Sequence, residues 1–206
     1  RQTIYQYFHD KYGFGEKTGI ELAEAQGLIT SPTEQEGNEV RYANMTFGQG
    51  MNLTPIQVAS AFCSIINGGV YYRPTIIAGV KKGDAVEWSK PQPLRHTVSA
   101  ETSTQMRTML DTTRHSFYVG KDDKPGYLVG GKTGTVELLV NGAYSMKETA
   151  GTYVGFGGTD KPEYVIMIRV SAPNKHAALE GSVHASPIFT DISNWLIDYL
   201  KLYPKE

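Results

Sequence analysis

The stretch Gly130-Gly131-Lys132-Thr133-Gly134-Thr135 is the densest group of chemically active residues in this chain. A lysine between glycines and threonines offers a positive charge, hydroxyl groups, and backbone N–H groups that a ligand can approach without meeting a Cβ atom. Together these groups suit an anion. Two kinds of protein site use such a string, and they require different surroundings.

The first kind is a phosphate-binding loop, whose pattern G-x-x-x-x-G-K-[ST] is met by Gly126 to Thr133. Such a loop leads directly into a helix, whose N-terminal N–H groups hold the phosphates. Here Lys132 is followed by Thr-Gly-Thr-Val-Glu-Leu-Leu-Val-Asn-Gly, which predicts a β-hairpin. Nucleotide binding at Gly126–Thr133 is therefore the weaker alternative.

The second kind is the Lys-Thr-Gly strand of serine acyl-transferring enzymes that react with penicillin. On a strand, Lys132 and Gly134 point to one face, whereas Thr133 and Thr135 point to the other. A glycine beside the reacting groups lets a substrate backbone lie against the strand edge and pair with it. This arrangement favours a peptide or β-lactam ligand.

Composition limits the classes of function. The chain has 206 residues, of which 40% are hydrophobic and 20% charged, so it predicts one globular domain or part of one. The net charge of -1 leaves no basic surplus, and nucleic acid is not an expected partner. The single cysteine, Cys63, excludes an internal disulfide and is expected to be a buried thiol. The chain begins at Arg1 inside a predicted helix, so we expect a piece of a longer protein.

The helical spacing of apolar residues predicts four helices. They cover residues 1–12, residues 54–67, residues 99–114 and a C-terminal segment that begins at Ser186-Pro187. The third helix is expected to bury Met106, Met109 and Leu110. The last helix is expected to pack on a sheet through a broad apolar stripe of Ile188, Ile192, Trp195, Leu196, Tyr199 and Leu200.

The strands are predicted from β-branched and aromatic runs. Two short strands are expected within residues 70–88. After Lys132 a strand continues to Val140, a turn follows at Asn141-Gly142, and strands at 151–157 and 164–170 complete an antiparallel meander. The expected fold class is α+β, with an antiparallel β-sheet flanked by helices.

Polar segments provide only weak candidates for other chemistry. Residues 23–46 and 115–126 are predicted to be exposed connections, and Asp122-Asp123 has no evident catalytic partner. His176, Glu180 and His184 recur at four-residue intervals, but Gly181 interrupts the helix that metal binding would need. These three are therefore expected to be loop residues, and no metal is expected.

Several longer motifs resemble one known family. The chain is similar to the C-terminal part of a penicillin-binding protein transpeptidase domain of the high-molecular-mass, class B type, across essentially all of residues 1–206. Lys132 to Thr135 resembles the family's third motif, and Val136 departs from the usual alanine. The other matching segments are Phe14-Gly15 with Thr18-Gly19-Ile20, Glu24 and Gly27; Phe47 to Ala59, the most specific, with Asn67-Gly68-Gly69; Gly155-Phe156; and Pro187-Ile188-Phe189.

This resemblance implies the C-terminal part of a β-lactamase/transpeptidase-like fold and a D,D-transpeptidase activity. Such an enzyme cross-links peptidoglycan stem peptides through a serine acyl-enzyme. Lys132 would then be catalytic, Thr133, Gly134 and Thr135 would bind substrate, and the backbone N–H of Thr135 would contribute to the oxyanion hole. No cofactor is implied.

The resemblance also implies partners and a location. Expected ligands are stem peptides and β-lactams, and proteins of cell elongation or division are possible partners. The protein is expected on the extracytoplasmic face of the bacterial cytoplasmic membrane, anchored by an N-terminal segment that this chain does not contain.

The family's nucleophile motif is Ser-x-x-Lys, and its second motif is Ser-x-Asn. No serine here is followed by lysine three places on or by asparagine two places on. Tyr42-Ala43-Asn44 imitates a variant of the second motif but precedes the Phe47 run, where a connecting segment is expected. Both motifs are therefore expected upstream of Arg1, which would leave this chain catalytically incomplete. The alternative is a non-catalytic module that binds cell-wall peptide or a division partner.

Overall fold

The structure is a computed structural model that describes residues 1–116, 118–140, 143–172 and 177–204. The turn expected at Asn141-Gly142 and the residue His176 lie outside these ranges. Across the described ranges, no helix combines the length and the apolar character needed to cross a bilayer. The chain divides into two compact units, Arg1–Ser103 and Thr104–Glu206.

The first unit consists of helices and two small antiparallel sheets. One sheet pairs β1 (Val70–Tyr72) with β4 (Pro93–His96), and the other pairs β2 (Gly79–Lys82) with β3 (Ala85–Trp88). The elements are α1 (Gln2–Tyr5), a π-helix (Gln6–Lys11), α2 (Glu39–Met45), α3 (Pro55–Ile66), β1 (Val70–Tyr72), β2 (Gly79–Lys82), β3 (Ala85–Trp88) and β4 (Pro93–His96).

Helix α3 begins where the sequence predicts it, because Thr54 and Gln57 form a capping box. The Gln57 backbone N–H donates to the Thr54 hydroxyl over 3.3 Å, and the Thr54 N–H donates to Gln57 Oε1 over 2.9 Å. These two bonds satisfy N–H groups that a helix start otherwise leaves unpaired. The Gln57 side chain also donates to the carbonyl oxygens of Glu16 and Gln26, so it ties α3 to the preceding loop.

The prediction that residues 23–46 form a long loop was wrong at its C-terminal end, where α2 forms. Asn38 caps α2, because its side chain accepts a hydrogen bond from the Arg41 N–H at 3.0 Å. Tyr42 and Met45 are buried, and the Tyr42 hydroxyl donates to the Thr30 carbonyl over 2.7 Å. Tyr42 is thus a core residue of the first unit.

The second unit is a three-stranded antiparallel sheet with helices. Its strands, β5 (Leu128–Val140), β6 (Ala143–Gly158) and β7 (Pro162–Val170), occur in the order β5-β6-β7, which confirms the predicted meander. The elements are α4 (Ala100–His115), which starts in the first unit, a 3₁₀ turn (Tyr118–Gly120), β5 (Leu128–Val140), β6 (Ala143–Gly158), β7 (Pro162–Val170), a π-helix (Gly181–Ala185) and α5 (Ser186–Tyr199).

The register of β5 on β6 decides which residues share a face of the sheet. Lys132 pairs with Val154 and Thr133 pairs with Tyr153. The pairing is regular from Leu128 to Glu137 and then shifts, so that the rest of the hairpin follows a different register. One core cluster of this unit lies on the Tyr153 face, where Val129, Tyr153, Ala185 and Phe189 pack together.

Three sequence predictions of secondary structure and packing were wrong in detail. The region 70–88 contains three strands rather than two, and β4 follows them. Met109 is exposed, although Leu110 is buried as predicted. Helix α5 packs through the opposite side from the one expected: Phe189 and Ile197 are fully buried, whereas the expected stripe residues Ile188, Ile192, Trp195, Tyr199 and Leu200 are exposed.

The turn after α3 provides a stability test with an internal control. Gly68 and Gly69 both adopt positive φ, at 99° and 95°. A Cβ atom on Gly69 would lie 1.9 Å from the Val98 carbonyl oxygen, whereas a Cβ on Gly68 would meet no atom within 4 Å. Gly68→Ala should therefore cost only the left-handed backbone strain, about 1–2 kcal/mol. Gly69→Ala should cost roughly 3 kcal/mol or more, because the backbone must also move.

Urea unfolding of the two variants measures this difference. Equal losses in the free energy of unfolding would contradict the described approach of Gly69 to Val98.

Candidate active site

The motif residues Lys132 to Thr135 lie inside β5, at one edge of the described sheet. The phosphate-loop alternative required a helix immediately after Lys132, but β5 continues as a strand to Val140. Lys132 and Thr135 are exposed, and Thr133 and Gly134 are half-buried. The strand is thus formed and accessible, as the Lys-Thr-Gly interpretation predicts.

Lys132 and Thr133 are linked through the lysine side chain. The Nζ atom of Lys132 donates to the Thr133 carbonyl oxygen over 3.0 Å and to the Thr133 hydroxyl over 3.3 Å. The hydroxyl oxygen of Thr133 therefore accepts a hydrogen bond and keeps its own hydrogen for another acceptor. An incoming anion would meet both a charge and a donor here.

A cavity of about 450 Å³ opens beside these residues. Its walls come from α4, the 3₁₀ turn, β5, β6 and the π-helix before α5, all within the second unit. The lining residues are Thr113, Arg114, Val119, Gly131, Lys132, Thr133, Tyr153 and Ser182.

Thr135 is held by the segment that precedes α5. The Gly181 backbone N–H donates to the Thr135 hydroxyl oxygen over 3.3 Å. A Cβ atom on Gly181 would lie 2.5 Å from the Gly134 carbonyl oxygen and 2.3 Å from the Thr152 carbonyl oxygen. Only glycine permits this approach, so Gly181 sets the distance between the π-helix and the motif strand.

Arg114, at the C-terminal end of α4, is the centre of a buried polar network behind the cavity. Its guanidinium donates twice to Asp123, with Nε–Oδ2 and Nη2–Oδ1 distances of 2.5 Å. It also donates to the Tyr153 hydroxyl over 2.7 Å and to the Thr190 hydroxyl over 2.8 Å. The guanidinium lies over the Phe189 ring, 4.7 Å from its centroid.

Burial sets the electrostatics of this network. Arg114 is fully buried, and the Asp123 side chain is 4% exposed. Burial alone would lower the pKa of Arg114, but its hydrogen bonds to Asp123 and Tyr153 outweigh that effect and raise it. Burial raises the pKa of the Tyr153 hydroxyl, against the opposing effect of the Arg114 charge. Arg114 is therefore charged and Tyr153 is neutral at physiological pH.

Comparison with protein families identifies the family to which the chain belongs. The family model described as "Penicillin binding protein transpeptidase domain" matches residues 1–194. The chain belongs to the penicillin-binding protein transpeptidase family.

Curated relatives of this transpeptidase-family chain agree with the assignment. It is 33% identical to stage V sporulation protein D of Bacillus subtilis over 216 residues, covering 100% of this chain and 32% of that protein. It is 30% identical to the penicillin-binding protein PbpB of Mycolicibacterium smegmatis, covering 91% of this chain and 30% of that protein. The chain thus spans about a third of the length of these relatives. A relative from Neisseria flavescens, 26% identical over 98% of this chain and 48% of that protein, is named a probable peptidoglycan D,D-transpeptidase.

Solved structures show the same fold. Penicillin-binding protein 3 from Mycobacterium tuberculosis, in complex with aztreonam, is 28% identical and superposes with a TM-score of 0.83. That comparison covers 100% of this chain and 48% of the other. The transpeptidase domain of penicillin-binding protein 3 from Burkholderia pseudomallei superposes with a TM-score of 0.80 at 24% identity, covering 100% of this chain and 59% of the other. The α+β fold of the transpeptidase family is therefore confirmed.

The Arg114 network was not predicted from the sequence. Residues 115–126 were predicted to be an exposed connection in which Asp123 has no partner, whereas Asp123 is buried against Arg114. A signal was present, because Ser103, Leu110 and Arg114 recur at helical spacing and form the buried side of α4. The prediction that His184 is a loop residue was wrong, because His184 lies in the π-helix that begins at Gly181. Glu180 precedes this helix, and its N–H donates to His184 Nδ1 over 3.0 Å.

Asp123 and its neighbour Asp122 allow a matched test of the buried ion pair. Asp123→Asn should destabilise the chain by about 3–5 kcal/mol, because it leaves the buried Arg114 charge without its carboxylate. Asp122 is 73% exposed, and Asp122→Asn should change the free energy of unfolding by less than about 0.5 kcal/mol.

Thermal or urea unfolding of both variants at pH 7 provides the measurement. A small loss for Asp123→Asn, similar to that for Asp122→Asn, would show that the pair is not buried as described.

Proposed function

We propose that this chain is part of a peptidoglycan D,D-transpeptidase and supplies the Lys-Thr-Gly strand of its active site. The observation that carries the proposal is the position of Lys132 to Thr135 on an edge strand, beside a cavity, in a transpeptidase-family chain. The names of the relatives support the reaction class, and the aztreonam complex of a structural neighbour supports β-lactams as ligands.

In this proposal, residues 1–206 are the C-terminal portion of one transpeptidase domain. The nucleophilic serine belongs to a segment outside the chain, since no Ser-x-x-Lys motif occurs in it. That serine attacks the penultimate D-alanine carbonyl of a stem peptide and D-alanine leaves. The amine of a neighbouring stem peptide then attacks the acyl-enzyme, which restores the serine and completes the cross-link.

Lys132 has the properties that the reaction requires from this wall of the cleft. Its side chain is exposed, and its Nζ atom lies close to the Thr133 hydroxyl. The positive charge would attract the substrate carboxylate and help move protons near the nucleophile.

The two threonines are suited to bind the substrate carboxylate. Each hydroxyl oxygen accepts a hydrogen bond from within the chain, Thr133 from Lys132 and Thr135 from the Gly181 N–H. A hydroxyl carries only one hydrogen, and in both residues that hydrogen remains available to a carboxylate. The backbone N–H of Thr135, together with that of the serine, would form the oxyanion hole.

Gly134 would allow the substrate backbone to lie against β5.

The same proposal places the protein on the extracytoplasmic face of the bacterial cytoplasmic membrane, held by an anchor outside this chain. Proteins of cell elongation or division would be its partners there.

The absence of a Ser-x-x-Lys motif from this sequence also favours a second candidate, a non-catalytic module that only holds cell-wall peptide. The two functions differ in one outcome. A transpeptidase forms a covalent adduct with penicillin when the upstream segment is present, whereas a binding module does not.

Labelling with a fluorescent penicillin tests the proposal in the longer protein. The unchanged protein should form a covalent adduct, and Lys132→Met should slow its formation by about a hundredfold or more, because charge and proton transfer are both lost. Lys147, exposed on β6 of the same sheet, is the matched control, and Lys147→Met should stay within about twofold of the unchanged protein.

Failure of the unchanged longer protein to form an adduct would remove the transpeptidase proposal and leave the binding module. Equal rates for the two lysine variants would instead show that Lys132 has no part in acylation.

A further inference from the structure

Arg114 connects three separate elements with one side chain. Asp123 belongs to the connection after α4, Tyr153 to β6 and Thr190 to α5, and each accepts a hydrogen bond from the guanidinium. Arginine suits this task because its planar fork presents five donors in fixed directions. The relative placement of the connection, strand and helix therefore depends on one rigid group.

Stability alone does not explain this network. A buried ion pair requires the desolvation of two charges, and apolar residues of similar volume often serve the fold at least as well. Fully satisfied buried networks instead select one arrangement of the elements they join.

The Tyr153 end of the network reaches the motif strand. Tyr153 pairs directly with Thr133, so their side chains are neighbours on the same face of the sheet. The Tyr153 ring also lies against Gly131, where a Cβ atom would come within 2.6 Å of the ring and of its hydroxyl oxygen. Fixing the Tyr153 hydroxyl thus fixes the ring on which Gly131 and Thr133 rest.

The same residues line the cavity next to Lys132. Arg114 and Tyr153 form part of its wall together with Gly131, Lys132 and Thr133. Asp123 neutralises the Arg114 charge, so the exposed Lys132 remains the charge that a ligand meets at this wall. The geometry thus gives Arg114 a supporting position rather than contact with the reacting groups.

We infer that Arg114 is a positioning residue for acylation: through Tyr153 it holds β5 in the arrangement that presents Lys132 and Thr133 to the substrate. This inference rests on the proposed function, because acylation is the step that the arrangement serves. It assigns to the buried network a role in the reaction rate that is separate from its role in folding.

Two variants that each remove one hydroxyl group distinguish positioning of β5 from a general contribution of the network to stability. Tyr153→Phe removes the Arg114 bond to β6, and Thr190→Val removes an Arg114 bond to α5 of nearly the same length. Both variants keep the Arg114–Asp123 pair and nearly the original side-chain shape. Substitution of Arg114 itself is avoided, since it would leave Asp123 buried without its partner.

The measurements are the acylation rate constant and the dissociation constant of the initial complex with a fluorescent penicillin, in the longer protein and well below both unfolding midpoints. Tyr153→Phe should lower the acylation rate constant by about tenfold, since small displacements of a reacting strand are costly. Thr190→Val should change it by less than about twofold. Equal rates for the two variants, or a change only in the dissociation constant, would overturn the inference.

Amide hydrogen exchange at residues 131–135 gives a second readout that requires no activity. Tyr153→Phe should speed exchange there, and Thr190→Val should not. If the unchanged protein forms no adduct, the proposed function fails and exchange alone decides the positioning role. Unchanged exchange in Tyr153→Phe would then overturn it.

Discussion

The antiparallel pairing of β5 with β6 is the constraint on which the site depends. It sets Thr133 opposite Tyr153 and Lys132 opposite Val154, and so it places the lysine on the face of the sheet opposite Tyr153. A shift by one residue would exchange the faces and place a lysine in the core of the second unit. The chemistry of the motif is therefore a consequence of register as much as of residue type.

Register in turn depends on what packs against the sheet. Phe189 and Ala185 fill the Tyr153 face, and Gly181 approaches the motif strand too closely for any side chain. The edge of β5 is therefore exposed, while the face of the sheet behind it is tightly packed. An accessible lysine on a firmly supported strand is what a preorganised site requires.

Much of this could be predicted from sequence, because local signals were strong. The two ends of α3 are predicted by the cap and proline at Thr54-Pro55 and by the glycine pair Gly68-Gly69. The β-rich runs after Lys132 predict the meander. The motif itself required only that Lys132 be followed by a strand. The family motifs added the reaction class, which no periodicity could supply.

The tertiary contacts could not be predicted from the sequence. Helix α5 has two apolar sides, and its larger residues, such as Trp195, lie on the exposed one. The buried side uses Phe189 with the small polar residues Thr190 and Ser193, because Arg114 and Tyr164 need hydrogen-bonding partners there. From the sequence alone, Arg114 is expected to be a surface residue. Its burial is explained only by Asp123, which lies in the connection after α4 and not in the helical pattern itself.

The register shift after Glu137 has a consequence for how the hairpin can vary. Because Glu137 still pairs with Thr149 while Leu138 pairs with Ser145, residues 146–148 of β6 lie between these pairs without a counterpart on β5. Beyond this point the hairpin is geometrically uncoupled from the motif, and an added or deleted residue there can be absorbed locally. An added or deleted residue between Leu128 and Thr135 would instead move the Lys132 side chain to the other face of the sheet. The hairpin beyond Glu137 therefore tolerates changes in length, whereas the segment from Leu128 to Thr135 does not.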